Sequence, residues 1–541
     1  MKTIAQGIAA QIVLASSFLI PVQGVNAADP VAVVSVSGIK EALSDVEYLL
    51  EATGTDAFGQ FFMPSVKNYL QGLNTERPLG MALSFNGTDF QPLVFLPVDD
   101  LDTFLTQVED TVGEPADAGD GILELQGPET VFVKQKDGWA FVAQHIEALD
   151  DLPEQPEKLL GGLYKEYDVA IRGFIGNIPE QYREMIIGQM EAGMEQGLAD
   201  NDDPNAEKLA RAQVDEIKRL FNEADTLTFG WNVDTKNKQI YFEGSATAKP
   251  GSKLARDMAA TANAQTKYSG FIVPNAAISG NLAGVITEDK ATQTKAMLST
   301  FEKSAVEELE KDGDIDSDEM RASAKNLVSS VFKILRDTAD TGKFDSATSV
   351  ILEGSSITIA SASHVADGSE AEKLVQDLVK AAEKSGDVSF SKLKFNAGTH
   401  NGVRLHEIAI PIPDEEYVST VLGGELEVCI GADQNDLYVV VGANPVSTLK
   451  SMIDSSKAKG AIKASPFNAT VKLSPILRFA ESVEGKIQVG EIAEMLEDSG
   501  NDHVRIEAVY KPNQAAYRFT IEEGVLRAIG QVIQAQMAQN F

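Results

Sequence analysis

Cysteine, tryptophan and histidine are scarce in this chain of 541 residues, which has one cysteine, two tryptophans and five histidines. The single cysteine, Cys429, excludes an internal disulfide, so the fold has to be stabilised by ordinary burial of a core. Cys429 lies in the segment ELEVCIGAD, where no neighbouring base would lower the pKa of a thiol nucleophile. We therefore interpret Cys429 as a buried strand residue.

Recognisable catalytic motifs are also missing from the sequence. There is no G-x-S-x-G nucleophile elbow, no P-loop and no glycine-rich dinucleotide loop. The spacing of the histidines does not match that of zinc ligands, and we interpret them as scattered surface or hairpin residues: His145, His364, His400, His406 and His503. The sequence therefore assigns no catalytic and no cofactor-binding residue.

Long apolar runs are absent after the first 27 residues, and the N-terminal segment has the features of a secretory signal peptide. Lys2 precedes an apolar stretch, Pro21 and Gly24 interrupt that stretch, and Val25-Asn26-Ala27 supplies small residues for a signal peptidase. We predict cleavage after Ala27 and export to the periplasm or the outside of the cell. The mature chain is then expected to have no transmembrane segment.

Positive charge is in short supply, because 81 acidic residues face only 46 basic ones and the net charge is −35. The excess is spread along the chain rather than gathered in a tail. Phosphates would be repelled, so the composition excludes nucleic acid as a partner. We interpret the charge as a solubilising surface.

What the sequence does contain is one pattern that recurs in outline: a strand, one or two helices, a β-hairpin and a closing helix. The segment after Tyr167 shows it best, with Asn177 as the expected N-cap of a helix that carries Met185, Met190 and Met194. We interpret that methionine stripe as core filler. A hairpin follows, in which alternate residues share one face: Leu227, Phe229, Trp231 and Val233.

Hairpins outnumber parallel crossovers, which predicts an α+β fold of mainly antiparallel sheet with packed helices, arranged as two pseudo-repeated lobes. The signal peptide is 1–27. The first lobe is 28–265, with repeat units at about 29–114 and 166–264 and a connecting unit at about 121–160. The second lobe is 266–541, with repeat units at about 269–386 and 466–541 and a connecting unit at about 387–460.

The two connecting units share a motif, DGWAFVAQHIEALDDL from Asp137 and NDLYVVVGANPVSTLKSMI from Asn435. Both are a polar turn, an apolar strand, a break and a helix, and His145 falls where the second copy has Ala443-Asn444. With the signal peptide and the acidic mature chain, these repeats resemble exported bacterial proteins of unknown function built from duplicated α+β domains. That resemblance implies an extracytoplasmic setting and carries over no catalytic residue.

An acidic break between two predicted helices is the one metal candidate. Its carboxylates alternate as at the start of a calcium loop: Asp312, Asp314, Asp316 and Asp318. An EF-hand that begins at Asp312 requires Gly at 317 and Glu at 323, whereas this chain has Ser317 and Ser323. We interpret the segment as a solvated turn and retain Ca²⁺ binding as an alternative.

Taken together, the sequence predicts an exported, non-catalytic binding or structural protein. A groove or sheet edge would take an apolar or peptide ligand, or an unidentified protein. Two alternatives stay open: an envelope or extracellular hydrolase without a recognisable motif, and a cation-linked adhesion or assembly protein.

The first prediction concerns the mature N-terminus. If the signal peptide is cut after Ala27, the exported protein begins at Ala28. N-terminal sequencing and intact-mass measurement of the protein from a secreting bacterial host test this. A mature chain that retains residues 1–27 would contradict it.

Overall fold

A computed structural model describes residues 29–198, 204–311, 317–385, 388–412, 421–485 and 487–539. The chain divides into two compact units. Of the described residues, the first unit comprises 29–185, 224–248 and 520–539, and the second comprises 186–198, 204–223 and those between 249 and 519.

The strands, in chain order, are β1 Pro30–Val36, β2 Leu79–Phe85, β3 Phe90–Pro97, β4 Ala116–Gly119, β5 Ile122–Gln126, β6 Thr130–Lys136, β7 Trp139–Ala143, β8 Val169–Phe174, β9 Ala224–Asp234, β10 Gln239–Ala248, β11 Gln265–Thr266, β12 Ile278–Val285, β13 Lys343–Glu353, β14 Ser356–His364, β15 Lys392–His400, β16 Val403–Pro411, β17 Glu425–Ala432, β18 Asp436–Val441, β19 Ile462–Lys463, β20 Phe467–Lys472, β21 His503–Lys511 and β22 Gln514–Glu522.

The α-helices are α1 Ile39–Ala52, α2 Asp56–Tyr69, α3 Leu101–Val112, α4 Glu180–Leu198, α5 Pro204–Glu223, α6 Lys253–Thr261, α7 Glu288–Lys311, α8 Asp318–Asp340, α9 Gly368–Ser385, α10 Pro445–Lys459, α11 Leu473–Glu484, α12 Ile487–Ser499 and α13 Glu523–Gln539. Short 3₁₀ turns occupy Ile146–Leu149, Pro156–Leu160, Leu163–Lys165, Ile175–Asn177 and Ser269–Phe271.

Antiparallel pairing joins the strands of each unit in the same order. In the first unit the order is β4-β5-β6-β7-β3-β2-β1-β8-β9-β10. In the second it is β15-β16-β17-β18-β14-β13-β12-β20-β21, and the hydroxyls of Tyr510 and Tyr517, 2.9 Å apart, link β21 to β22. The predicted α+β class with mainly antiparallel sheet is confirmed.

The order of elements also recurs along the chain. A strand, two helices, a hairpin and a closing helix follow one another from each of β1, β8, β12 and β20. Four strands lie between the first and second of these segments, and four more, β15 to β18, lie between the third and fourth. The repeat as a relation between sequences, and the lobe boundaries at 265 and 266, stay predictions.

Both faces of the first unit's sheet are covered over β3 and β7. On one face α3 packs a row of buried apolar residues onto these strands: Leu101, Phe104, Leu105, Val108 and Val112. On the other face the segment that follows β7 packs Leu149, Leu160 and Leu163 against Phe95 and Trp139. Burial of such side chains contributes about 1.5–3 kcal/mol each.

The second unit is built in the same way. Leu449, Met452 and Ile453 of α10 pack with Tyr268 and Phe271 over the centre of the sheet. Asn444 precedes α10 in the left-handed region, with φ of 54°, and Pro445 follows at the first helical position, where its missing N–H costs nothing. The connecting motif thus ends in an α-helix here, whereas the 3₁₀ turn Ile146–Leu149 stands at the corresponding place in the first unit.

The dipeptide Asn86-Gly87 forms a hairpin turn, whereas the predicted helix cap at Asn177 is wrong. Asn86-Gly87 turns the β2–β3 hairpin, where Gly87 has φ of 100° and the Asn86 Oδ1 accepts the N–H groups of Thr88 and Asp89. Asn177, in contrast, does not cap a helix. It ends the 3₁₀ turn that precedes α4, and its side-chain amide donates to the Pro30 carbonyl at 2.8 Å, which satisfies the start of β1 instead.

A pair of buried carboxyl groups ties α1 to the centre of the first unit. Asp168, just before β8, accepts the Val233 N–H at 2.6 Å, and its side chain is hydrogen-bonded to that of Asp45 on α1. Burial, followed by the charges of Asp168 and Glu41, raises the pKa of Asp45 to about 7. Near neutral pH the pair therefore shares a proton.

This pair predicts a stability that falls as pH rises. In the unfolded chain Asp45 releases its proton near pH 4, whereas in the native protein it keeps the proton up to about pH 7. The free energy of unfolding therefore decreases between these pH values, and the loss is complete above pH 7. At pH 8 we expect the free energy of unfolding of Asp45→Asn, measured by urea denaturation, to exceed that of the wild type by about 2 kcal/mol. The difference should shrink toward pH 4.

Tryptophan fluorescence reports on this unit, because Trp139 and Trp231 both belong to it. Glu51→Gln, an exposed position on the same helix, is the matched control and should leave the pH profile unchanged. Equal profiles for Asp45→Asn and the wild type would contradict the shared proton.

Candidate binding surface

The acidic metal candidate is only partly within the described residues. Asp312, Asp314 and Asp316 lie outside them, so their prediction stays untested. Asp318 is the first residue of α8, is exposed, and follows Ser317, whose hydroxyl accepts the Met320 N–H at 3.1 Å. A carboxylate in that first turn stabilises the helix dipole.

The partly exposed histidines occupy strand ends. His145 precedes the 3₁₀ turn that follows β7. His364 ends β14 with its Nδ1 3.0 Å from the Asn435 carbonyl, and His400 ends β15 with its Nε2 2.8 Å from Asp454 Oδ1. His503 begins β21. Each of these four histidines thus lies at the boundary of a different strand or turn.

His406 is the buried histidine, and its partners are structural. Its Nδ1 accepts the Asn396 N–H at 3.3 Å, so the proton sits on Nε2, which lies 3.3 Å from Glu372 Oε1. Glu372, on α9, also accepts the Arg404 Nε–H at 2.8 Å. Burial lowers the pKa of His406, which favours the neutral imidazole, and its Nε2 lies near Glu372 without forming a hydrogen bond.

The densest polar group in the second unit surrounds Asp436, the first residue of β18. Its Oδ1 accepts the Tyr268 hydroxyl at 2.6 Å and lies 2.5 Å from the Lys267 ammonium. Its Oδ2 lies 3.3 Å from the Tyr438 hydroxyl, and the buried Asp345 accepts the Lys267 N–H at 3.0 Å. Burial raises the pKa of Tyr268, which stays a protonated donor. The contacts of Asp436 and Asp345 with Lys267 and Tyr268 hold the Tyr268 segment on the sheet, and Asp345 Oδ1 is left without a hydrogen-bond partner.

Each unit also has a sheet face on which apolar side chains are exposed. In the first unit, directly paired residues of β1, β8 and β9 share one sheet face in three rows: Ala32, Gly173 and Leu227; Val34, Ile171 and Phe229; Val36, Val169 and Trp231. We name these nine residues the first apolar block. Ile171 is 50% exposed and Phe229 is 66% exposed.

The apolar surface of the first block continues onto β10, where the paired residues are also apolar or glycine. Phe229 pairs with Gly244 and Trp231 pairs with Phe242, which is 48% exposed. The rings of Trp231 and Phe242 stack with centroids 6.2 Å apart. Trp231 also packs against Leu526 of α13, so helices cover this end of the block and leave the rest open.

The second unit has a matching surface on β12, β20 and β21. Its three rows are Ile278, Val471 and Val504; Gly280, Ala469 and Ile506; Leu282, Phe467 and Ala508. We name these nine residues the second apolar block. Ile278, Leu282 and Ile506 are each 40–43% exposed and Phe467 is 36% exposed, whereas Ala508 is buried.

Two helices also turn apolar side chains outward. The stripe on α8 at helical spacing is exposed at Met320, Val331 and Leu335. On α4, Met185 is 51% exposed and Met190 is 36% exposed, so the interpretation of that stripe as core filler is wrong. Spacing identifies an apolar stripe but does not say whether anything packs on it.

Comparison of the chain with protein-family models, with curated proteins and with solved structures finds no match. Among the described residues, every helix is too short or too polar to cross a lipid bilayer. The site therefore has to be judged on its own geometry.

The burial of Cys429 predicts an unreactive thiol in the native protein. It is fully buried in β17, and burial raises the pKa of its thiol to about 11, in agreement with the strand interpretation. We expect no reaction with 5,5′-dithiobis-(2-nitrobenzoate) at pH 8 in the native protein and one thiol released in 6 M guanidinium. Rapid reaction of the native protein, followed at 412 nm, would contradict the burial.

Proposed function

We propose that this chain is an exported, non-catalytic binding protein that takes apolar ligands on its open sheet faces. The observation that carries the proposal is the pair of apolar blocks, one in each unit, each with several large exposed side chains. Water-exposed apolar patches of this kind mark interaction sites in soluble proteins.

Covering the exposed side chains of the blocks provides free energy for binding. Phe229, Ile171 and Leu282 each expose about half of a large apolar side chain. Covering such a side chain yields about 1 kcal/mol, because full burial of one yields about 1.5–3 kcal/mol. Four or five such contacts yield about 4–5 kcal/mol, which corresponds to a dissociation constant near 1 mM, and burial of the ligand's own apolar surface adds to this.

The polar clusters support binding rather than catalysis. The carboxylate of Asp436 is engaged by Lys267 and Tyr268, and that of Glu372 by Arg404 and His406. The charged groups of these residues are paired within each cluster. A reaction centre needs polar groups that converge on a substrate.

The net charge and the N-terminal segment indicate where the protein would meet its ligand. A net charge of −35 repels nucleic acid and anionic membrane surfaces. The signal-peptide features of residues 1–27 support export. We propose accordingly that the ligand is met outside the cytoplasm.

The experiment is a titration of the full chain with N-phenyl-1-naphthylamine, an uncharged apolar fluorophore. We expect saturable fluorescence enhancement, weakened about fivefold by Phe229→Thr and by Phe467→Thr, because each removes a half-exposed aromatic ring from a block. Threonine keeps the strand preference, so the free energy of unfolding should change by less than about 0.5 kcal/mol.

Phe61→Gln is the matched control, because Phe61 is 69% exposed but lies on α2 rather than on a sheet face. It should bind the fluorophore as the wild type does. Absence of saturable binding, or equal weakening by all three substitutions, would exclude the proposal. A sheet-face site predicts loss only from the two block substitutions.

A further inference from the structure

We infer that the ligand of the apolar blocks is a linear alkyl chain carried by an uncharged or zwitterionic head group, and not an extended peptide. This inference rests on the proposed function and identifies its ligand class. It follows from the chemistry of the block positions, from the hydrogen bonding of the strands beneath them, and from the charge of the chain.

The first step is the composition of the two blocks. All eighteen positions hold apolar residues or glycine, on strands whose opposite faces carry polar residues such as Arg172, Thr228 and Asn281. The side-chain polar atom in the blocks is the indole nitrogen of Trp231, and it is buried. A ligand on these surfaces therefore meets hydrocarbon alone.

The second step concerns the backbone. In the first block β8 is bonded to β1 on one side and to β9 on the other, and β9 is bonded to β10. In the second block β12 lies between β13 and β20, and β20 is bonded to β21. Both strand edges are used, so a peptide cannot add to the sheet through main-chain hydrogen bonds.

The third step is the cost to a peptide of lying flat on a block. Its amide groups would leave water for a surface that offers no donor or acceptor, and each unpaired group costs about 1–3 kcal/mol. An alkyl chain has no such groups and gains free energy with every methylene it buries. The blocks therefore favour hydrocarbon over peptide.

The fourth step is the shape of the surface. Large side chains alternate with small ones: Phe229 faces Gly244, and Ile506 faces Ala469 and Gly280. An unbranched chain is flexible enough to follow this uneven surface. The row through Gly280 ends at Thr348 on β13, whose hydroxyl lies 3.0 Å from that of Ser361 on β14, whereas the row through Ile278 continues over the apolar Val350 and Ile359.

The fifth step concerns the head group. The chain carries 35 more negative than positive charges, which raises the free energy of any anion near its surface. A fatty acid or alkyl sulfate thus binds less well than a zwitterionic amphiphile of equal chain length. Salt screens this difference.

The test displaces N-phenyl-1-naphthylamine from the full chain with alkylphosphocholines of eight to fourteen carbons, each below its critical micelle concentration. We expect affinity to rise with every two carbons, by up to roughly fifteenfold for fully buried methylenes. Phe229→Thr and Phe467→Thr should flatten this increase, and Phe61→Gln should leave it unchanged.

Two comparison ligands complete the design. Sodium alkyl sulfates of equal length should bind more weakly at 20 mM salt, with the gap narrowing at 500 mM. An uncharged valine- and threonine-rich heptapeptide should not displace the fluorophore. Displacement by the peptide, or an affinity independent of alkyl length, would overturn the inference while leaving a saturable apolar site in place. Failure of the fluorophore itself to bind would instead exclude the proposed function.

Discussion

The pairing of β1 with β8, and of β12 with β20, is the constraint on which the rest of each unit depends. These partners are distant in sequence: Val34 pairs with Ile171, and Gly280 with Ala469. Each strand begins a segment of two helices, a hairpin and a closing helix, so their antiparallel union sends the two segments outward in opposite directions. Pairing strands so distant in sequence costs conformational entropy, and the packing of the remaining strands and helices has to offset that cost.

The start of β7 and the start of β18 show two solutions to one anchoring problem. Trp139 packs edge-on to Phe95 beneath the Arg77 guanidinium, 4.1 Å from the ring centroid. In the second unit the first residue of the corresponding strand is Asp436, which holds Lys267 and Tyr268 through charge and hydrogen bonds. A cation stacked on an aromatic ring holds the start of β7, and an ion pair holds the start of β18.

Local patterns identified several of the strands and hairpins, because alternation and turn residues act over a few positions, but they gave no strand at β4, β5 or β15. Leu227, Phe229 and Trp231 share a face as the alternation predicts, and Asn86-Gly87 turns its hairpin. The blocks themselves could not be predicted, since each is assembled from strands whose register is set by contacts distant in sequence. Burial was equally inaccessible: the spacing at Met320, Val331 and Leu335 gives a helix face but not its partner.

An open apolar face carries a hazard that the composition of this chain counters. Exposed rows such as Ile171 and Phe229 favour self-association, because two copies could bury them against each other. A charge of −35 distributed along the chain opposes that approach through long-range repulsion, while a small uncharged ligand is not repelled. The strands under each block are bonded on both sides, so edge pairing is not available to them, whereas β4 and β15 stand at the ends of the strand orders. Acidity and central placement therefore both act against self-association through the blocks.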